Sequence, residues 1–427
     1  MSIHASLVRF AAGAATIAAV SLASHGVASA ANNIGLDTIE LKIINTTGHK
    51  GDLYMYVWGQ SGDTWYYVTD TNGDVSAYSP SADYEKIGIN IGSKKRISVE
   101  LPQMSAARVY FSLGKAMQVT VGGNDAPSTP SGWTIPSSTV ENPNYRTIFD
   151  WFEYTWADVQ QPSNFTTSFN GNLTQVDMVG IPMLLRLNGQ NATQQNIFTA
   201  AGFSNKKSRT KLMRLMKKAP KPWNTLVVGK NRKVPFRVVS PYNGMDLGGG
   251  IGLGTFPSDF LDSYIDSVWS EYAGTHMLAT TTGPSATFHG LVQGSSLVFT
   301  NVGNSGDTVT FAKPTSLMAF NGYLGTLSDP GDSNLQAEGA ELARYLQAGL
   351  MRTTILKNGH ISVCPKNPKK AYYRNAPVNQ YSKRMHKVAH DHKAYGFGWD
   401  DVCDQASDFT VFDPNYIQVK LLPLKGK

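Results

Sequence analysis

The first third of the chain alternates. Leu53, Met55 and Val57 take turns with Tyr54, Tyr56 and Trp58, the two-residue period of a strand with one face in a core. Ile97-Ser98-Val99-Glu100-Leu101 and Arg108-Val109-Tyr110-Phe111-Ser112-Leu113 repeat it, with clusters of Gly, Asn, Asp and Pro between the runs. The pattern predicts short strands joined by tight turns, as in a β-sandwich or barrel. Residues 122–144, rich in Pro, Ser, Gly and Asn, read as a long surface loop. Two strand-like segments follow, Phe149 to Trp156 and Val176 to Met183.

Past residue 190 the period changes. Leu261, Tyr264, Ile265, Val268, Trp269 and Tyr272 recur at helical spacing, so an amphipathic helix is expected there, capped by Ser258. Further helices are expected at about 335–351 and 381–395, with strands at 287–292 and 296–300. The tail returns to strand at 409–412 and 416–421. The expected order is a targeting segment over 1–30, then a β domain over 31–190 completed by 395–427. A mixed α/β domain over 191–394, with a basic insertion at 204–233, interrupts it. A groove between the two domains would suit a polymer.

Composition adds compartment and charge. Arg9 precedes an apolar stretch, Phe10 to Ala23, too short to cross a bilayer. Ala28-Ser29-Ala30 is a small-residue cleavage site, so a secreted, extracellular protein starting at Ala31 is expected, with no membrane contact after cleavage and a monomeric state. Two cysteines, Cys364 and Cys403, are expected to pair in an oxidising compartment, two buried thiols being the alternative. Net charge is +7, and +6 once Arg9 is removed. Lys206, Lys207, Arg209, Lys211, Arg214, Lys217, Lys218 and Lys221 fall together with no acid among them. They read either as a solvated face or as a patch for an anionic wall or polymer. No nucleic-acid recognition motif accompanies them, so nucleic acid is not expected as a partner.

The chemistry sits at the end of the β region. Glu153 lies in Phe149-Asp150-Trp151-Phe152-Glu153-Tyr154-Thr155-Trp156, a block of rings, and Asp177 in Val176-Asp177-Met178-Val179-Gly180-Ile181-Pro182-Met183. Two acids on separate strands can divide glycosidic hydrolysis, one protonating the leaving oxygen and one activating water. An acid must hold its proton near neutral pH, which a ring walling Glu153 off from water would favour. Trp151, Tyr154 and Trp156 could stack on sugar faces or pack in the core. Asp150, three residues before Glu153, should face the other side of the strand and serve structure. Gly248 to Gly254 lacks the Lys-Ser/Thr of a phosphate loop. His386, His390 and His392 hint at a metal, yet no metal is expected.

These segments resemble glycoside hydrolase family 64, secreted β-1,3-glucanases related in fold to thaumatin-like proteins. Phe149 to Trp156 is similar to the family's general-acid segment and Val176 to Met183 to its general-base segment. Phe236 to Pro241, Phe311 to Thr315, Met351 to Thr354 and Tyr395 to Val402 look like further family segments in the same order. The resemblance implies a thaumatin-like β domain and inverting cleavage of β-1,3-glucan to short laminari-oligosaccharides, mainly the pentasaccharide, without metal or organic cofactor. By motif position it implies Glu153 as acid, Asp177 as base and Thr155 as a sugar contact. A non-catalytic β-glucan-binding or antifungal wall protein of thaumatin-like type is the alternative. The chain departs from the family pattern in a longer segment between the two acids and in Ala157-Asp158 where an Asn is expected.

Overall fold

The computed structural model describes residues 36–78, 87–119, 144–160, 163–248, 252–283, 285–325 and 333–425. The expected targeting segment and almost all of the loop at 122–144 lie outside these residues. The architecture is mainly β with a smaller helical share, 36% strand against 20% helix.

A 12-stranded sheet dominates. Its centre is formed by β1 (Leu53–Ser61), β2 (Ser105–Leu113), β3 (Ile148–Asp158) and β4 (Thr167–Asn172), antiparallel in that order. β5 (Asp408–Leu421) lies beside β4. Near its middle, at Asp413 with φ 42°, β5 changes partners. Its first half pairs with β4, while its second half pairs in parallel with Thr38–Asn45 and antiparallel with Met183–Gln190. The sheet thereby curls over one apolar core. Met55, Val57, Val109, Phe111, Phe152 and Tyr154 from the central strands meet Leu41, Ile43, Leu185, Leu187, Ile417 and Val419 from the other half. Asn196–Gly202 also joins this sheet, beyond the boundary expected at residue 190.

The other side of β1, β2 and β3 carries Tyr56, Trp58, Tyr110, Phe149 and Trp151, which are continuous with the core of the mixed α/β region. Trp58, Tyr110 and Trp151 stack in a row, with ring centroids 4.6 and 4.9 Å apart. The mixed region contains α1 (Ser208–Lys217), α2 (Asp262–Glu271), α3 (Ser333–Arg352) and α4 (Gln380–Val388), and a four-stranded antiparallel sheet spanning 277–312.

Two helix expectations change. α2 starts at Asp262, behind Leu261 at the cap position, and Ser258 does not cap it. Asp262 instead accepts the Ser316 N–H at 2.9 Å, tying the helix start to the next helical turn. The helix expected to run to 395 stops at Val388, because Ala389 is extended and Asp391 takes φ 50°. Cys364 and Cys403 form a disulfide, with Cα atoms 5.4 Å apart. Its sequence separation of 39 sets the loop entropy removed from the unfolded chain. Replacing both cysteines by serine should lower the unfolding free energy by about 3–4 kcal/mol, read as a lower denaturant midpoint with a steeper slope, because the uncrosslinked unfolded chain exposes more surface.

Candidate active site

Strand register builds one half of the site. On β3, odd-numbered side chains face the mixed region and even-numbered ones face the β core. Glu153 therefore shares a face with Trp151 and Thr155. Its cross-strand neighbours are Arg108 on β2 and Asn172 on β4. Arg108 Nε stands 3.0 Å from Glu153 Oε1. Asn172 Nδ2 donates to Oε2 at 3.3 Å, and the Trp151 indole N–H reaches Oε1 at 3.4 Å. Three donors on three strands thus fix the carboxylate, whose side chain keeps 13% exposure. One strand further on, Asp408 pairs with Asn172, so the row reads Arg108, Glu153, Asn172, Asp408 across four strands.

The ring wall expected around Glu153 is not what surrounds it. Tyr154 and Trp156, at even positions, lie in the β core at 2% and 7% exposure. Tyr154 donates its hydroxyl to the Pro102 carbonyl at 2.8 Å. These two rings cannot stack on a sugar beside Glu153, because the pleat turns them to the opposite face. Trp151 is on the site face but only 2% exposed, stacked on Tyr110 as a floor. Thr155 is half-buried on the site face, and its Oγ1 accepts the Ala106 N–H at 3.1 Å.

Asp177 is not on a strand adjoining that of Glu153. It occupies a bend just before the two-residue strand Met178–Val179, which pairs with Arg237–Val239. Asn243 Nδ2 donates to Asp177 Oδ1 at 3.0 Å, and the Ser240 N–H donates to the Asp177 carbonyl at 2.8 Å. Ser240 also caps the short helix Pro241–Gly244, accepting the Asn243 N–H. Just upstream, Gln175 is buried; its Oε1 accepts the Tyr395 N–H at 2.9 Å and its carbonyl accepts the Tyr381 hydroxyl at 2.6 Å.

The two acids influence the same two buried groups. Burial alone would lower the pKa of Arg108, yet the charges of Glu153 and Asp177 among its neighbours hold it above its ordinary value. Burial raises Tyr110, and the same two carboxylates raise it further. Tyr395, bound through its N–H to Gln175, is buried and donates its hydroxyl to the Gly398 carbonyl at 3.2 Å. Burial pushes its phenol well up, with the charges of Asp401, Glu153 and Asp408 adding to it. Asp401 is ion-paired with Arg344 at 2.7 Å. Asp400 is fully buried and bound by Arg352 at 3.0 Å, His386 at 2.9 Å, Ser382 at 3.1 Å and the Gly396 N–H at 3.0 Å. His386 is thus a support for the Tyr395 segment. His390 stands 3.5 Å from Asp391 outside that network, and no cluster of metal-ligating side chains occurs among the described residues.

Asp150 has the structural role expected of it. Its Oδ2 accepts the N–H groups of Gly180 and Ile181 at 2.8 and 3.1 Å, clamping the segment after Asp177 onto the strand of Glu153. Oδ1 accepts the Trp151 N–H at 2.9 Å. Behind it, Arg209 Nε donates to the Gly180 carbonyl at 2.7 Å.

A mainly β scaffold that holds one acid in a cradle of donors and, through Asp150, clamps the segment of a second acid to the same strand suits glycosidic hydrolysis, which divides acid and base work between two carboxylates. A profile of glycoside hydrolase family 64, described as beta-1,3-glucanase, matches residues 37–421. A glucan endo-1,3-beta-glucosidase of Arthrobacter sp. (strain YCWD3) is 29% identical, over 96% of this chain and 70% of that protein. Another, of Cellulosimicrobium cellulans, is 28% identical with the same coverage. A laminaripentaose-producing beta-1,3-glucanase solved in complex with laminaritetraose has the same fold, at TM-score 0.73 and 24% identity over 91% of this chain and 99% of that one. The chain belongs to glycoside hydrolase family 64, the β-1,3-glucanases.

Arg108, Asn172, Asn243 and Tyr395 were not singled out by the sequence. Arg108 carried a signal, since it alternates in phase with Tyr110 and so occupies an inward position.

Two outcomes follow from the Asp150 clamp. A Cβ on Gly180 would lie 2.1 Å from the Phe149 carbonyl oxygen, so Gly180→Ala must push the Asp177 segment off β3. Laminarin kcat/KM should fall about 100-fold while circular dichroism still reports a folded chain. Burial raises Asp150 to about 7, against its three amide donors and Arg209. The folded state therefore keeps a proton that the unfolded chain releases near 4, so this group's contribution declines as pH rises from about 4 to 7 and then levels. Asp150→Asn should remove that slope from the stability–pH profile. It should also cost about 3 kcal/mol, since an amide nitrogen would face donors.

Proposed function

We propose that this protein is a secreted endo-β-1,3-glucanase that works by inversion, with Glu153 as general acid and Asp177 as general base. Glu153 gives its proton to the glycosidic oxygen as the bond breaks. Arg108, 3.0 Å away, then offsets the carboxylate charge left behind. Asp177 takes a proton from the water that attacks the anomeric carbon from the opposite side of the ring. Asn243 orients its carboxylate, and Ser240 fixes its backbone.

The donor cradle around Glu153, together with the Asp150 clamp that ties the segment after Asp177 to the same strand, carries this reading. Short laminari-oligosaccharides, chiefly the pentasaccharide, are the proposed products. In support, three solved structures, two of them of one protein, are described as laminaripentaose-producing. Secretion is supported by the apolar run after Arg9, the Ala28-Ser29-Ala30 site and the Cys364–Cys403 disulfide.

Laminarin hydrolysis by the wild type, Glu153→Gln and Asp177→Asn tests the roles. Each substitution should lower kcat by about 10²–10⁴. Either variant retaining wild-type kcat removes that residue from the mechanism. Proton NMR should show the α-anomer first, and an initial β-anomer would overturn inversion. Chromatography of early products should show the pentasaccharide in excess.

A further inference from the structure

Neither residues 178–245 nor residues 342–390 contain an Asp or a Glu. The fold sets these two acid-free stretches side by side. α1, from the first, packs against α4, from the second: Arg384 Nε donates to the Leu215 carbonyl at 3.2 Å and Ser208 Oγ to the Val388 carbonyl at 3.2 Å. α1 buries Arg209, Leu212, Met213 and Met216. Its outer side carries Lys207, Lys211, Arg214 and Lys218, all exposed, at steps of four, three and four residues. On α4 the exposed Lys383 and Lys387 extend the same charge. Lys383 is pushed down by burial and then by the charges of Arg374, Arg384 and Lys387. Arg374 and Lys370 go on to line a cavity of 320 Å³ beyond α4. Just past the end of α4, acids reappear in pairs with bases: Asp391 beside His390, and Asp404 beside Lys393.

Folding does not account for the pattern. No acid stands in the first turn of α1, and Lys206 and Lys207 meet the positive end of its dipole. Cations one turn apart repel along the helix. Solubility would be served by mixed signs. Lys207 to Lys218 spans about 16 Å of helix, a few sugar units. The neutral glucan cleaved at the active site offers this charge nothing. Lysines outnumber arginines on the outer stripe, which suits phosphate groups met as point charges better than planar carboxylates met by guanidinium forks.

We propose that the α1–α4 face binds a wall polysaccharide carrying phosphodiester groups, and so holds the enzyme on a composite wall while the active site works on neutral glucan. The probe is immobilised phosphorylated mannan, with the same mannan dephosphorylated as control. The wild type should bind the phosphorylated form, and binding should weaken steeply with salt. Lys211→Gln with Arg214→Gln and Lys218→Gln should weaken it at least tenfold and reduce the log–log salt slope by about 2. Soluble laminarin turnover and thermal midpoint should stay as in the wild type, which separates a lost surface from a lost fold. Lys383→Gln with Lys387→Gln, on the neighbouring helix, should give a smaller loss in the same direction.

Equal binding to both mannans, or unchanged binding by the triple variant, would overturn the proposal. So would competition by duplex DNA at lower phosphate concentration than the mannan requires, which would mark a general polyanion surface. Binding is read apart from hydrolysis, so its failure leaves the roles of Glu153 and Asp177 untouched.

Discussion

A buried carboxylate that is not part of the chemistry holds the chemistry together. Asp150 gives one oxygen to two amides of the segment that follows Asp177 and the other to its own strand. Without that clamp, the strand of Glu153 and the bend of Asp177 have no shared rigid frame. Burying the charge is costly, and two arginines offset it. Arg209 binds the carbonyls of Gly180, Pro235 and Phe236, and Arg237 those of Asn144, Tyr145 and Thr147. Burial lowers them to about 10 and about 9, so both remain charged at neutral pH. The seam between β layer and mixed region is therefore a charged joint bound to six backbone carbonyls.

A second joint sits on the far side of the site. Gln175 binds Tyr395, and the buried Asp400 binds Gly396, the residue after it. Arg352, His386 and Ser382 converge on the same carboxylate. The histidines that suggested a metal play different parts: His386 supports the Tyr395 segment, and the chain turns to positive φ at Asp391, between His390 and His392.

Much of this was legible in the sequence, and the remainder was hidden for definite reasons. Alternation located β1 and β2, because a strand with one buried face writes its period directly into the residues. The same period distinguishes Glu153 from Tyr154 and Trp156, so the misplaced rings were readable from parity alone. Asp177 was harder. A bend held by Asn243 and Ser240, some 60 residues later, leaves no local trace. Arg108 and Asn172 became partners of Glu153 only through strand order, which pattern does not encode. Ser258 failed as a cap because a tertiary contact at Asp262 outweighed local propensity.

β5 has a consequence for how the protein comes to exist. It is the last in chain order of the described strands, yet it lies between β4 and Met183–Gln190 and beside Thr38–Asn45, three pieces made long before it. Until translation reaches it, those pieces have unpaired edges and the curled core stays open. Closing that core joins segments as far apart as Leu41 and Ile417, a loop closure whose entropy cost must be met before the pairing stabilises anything.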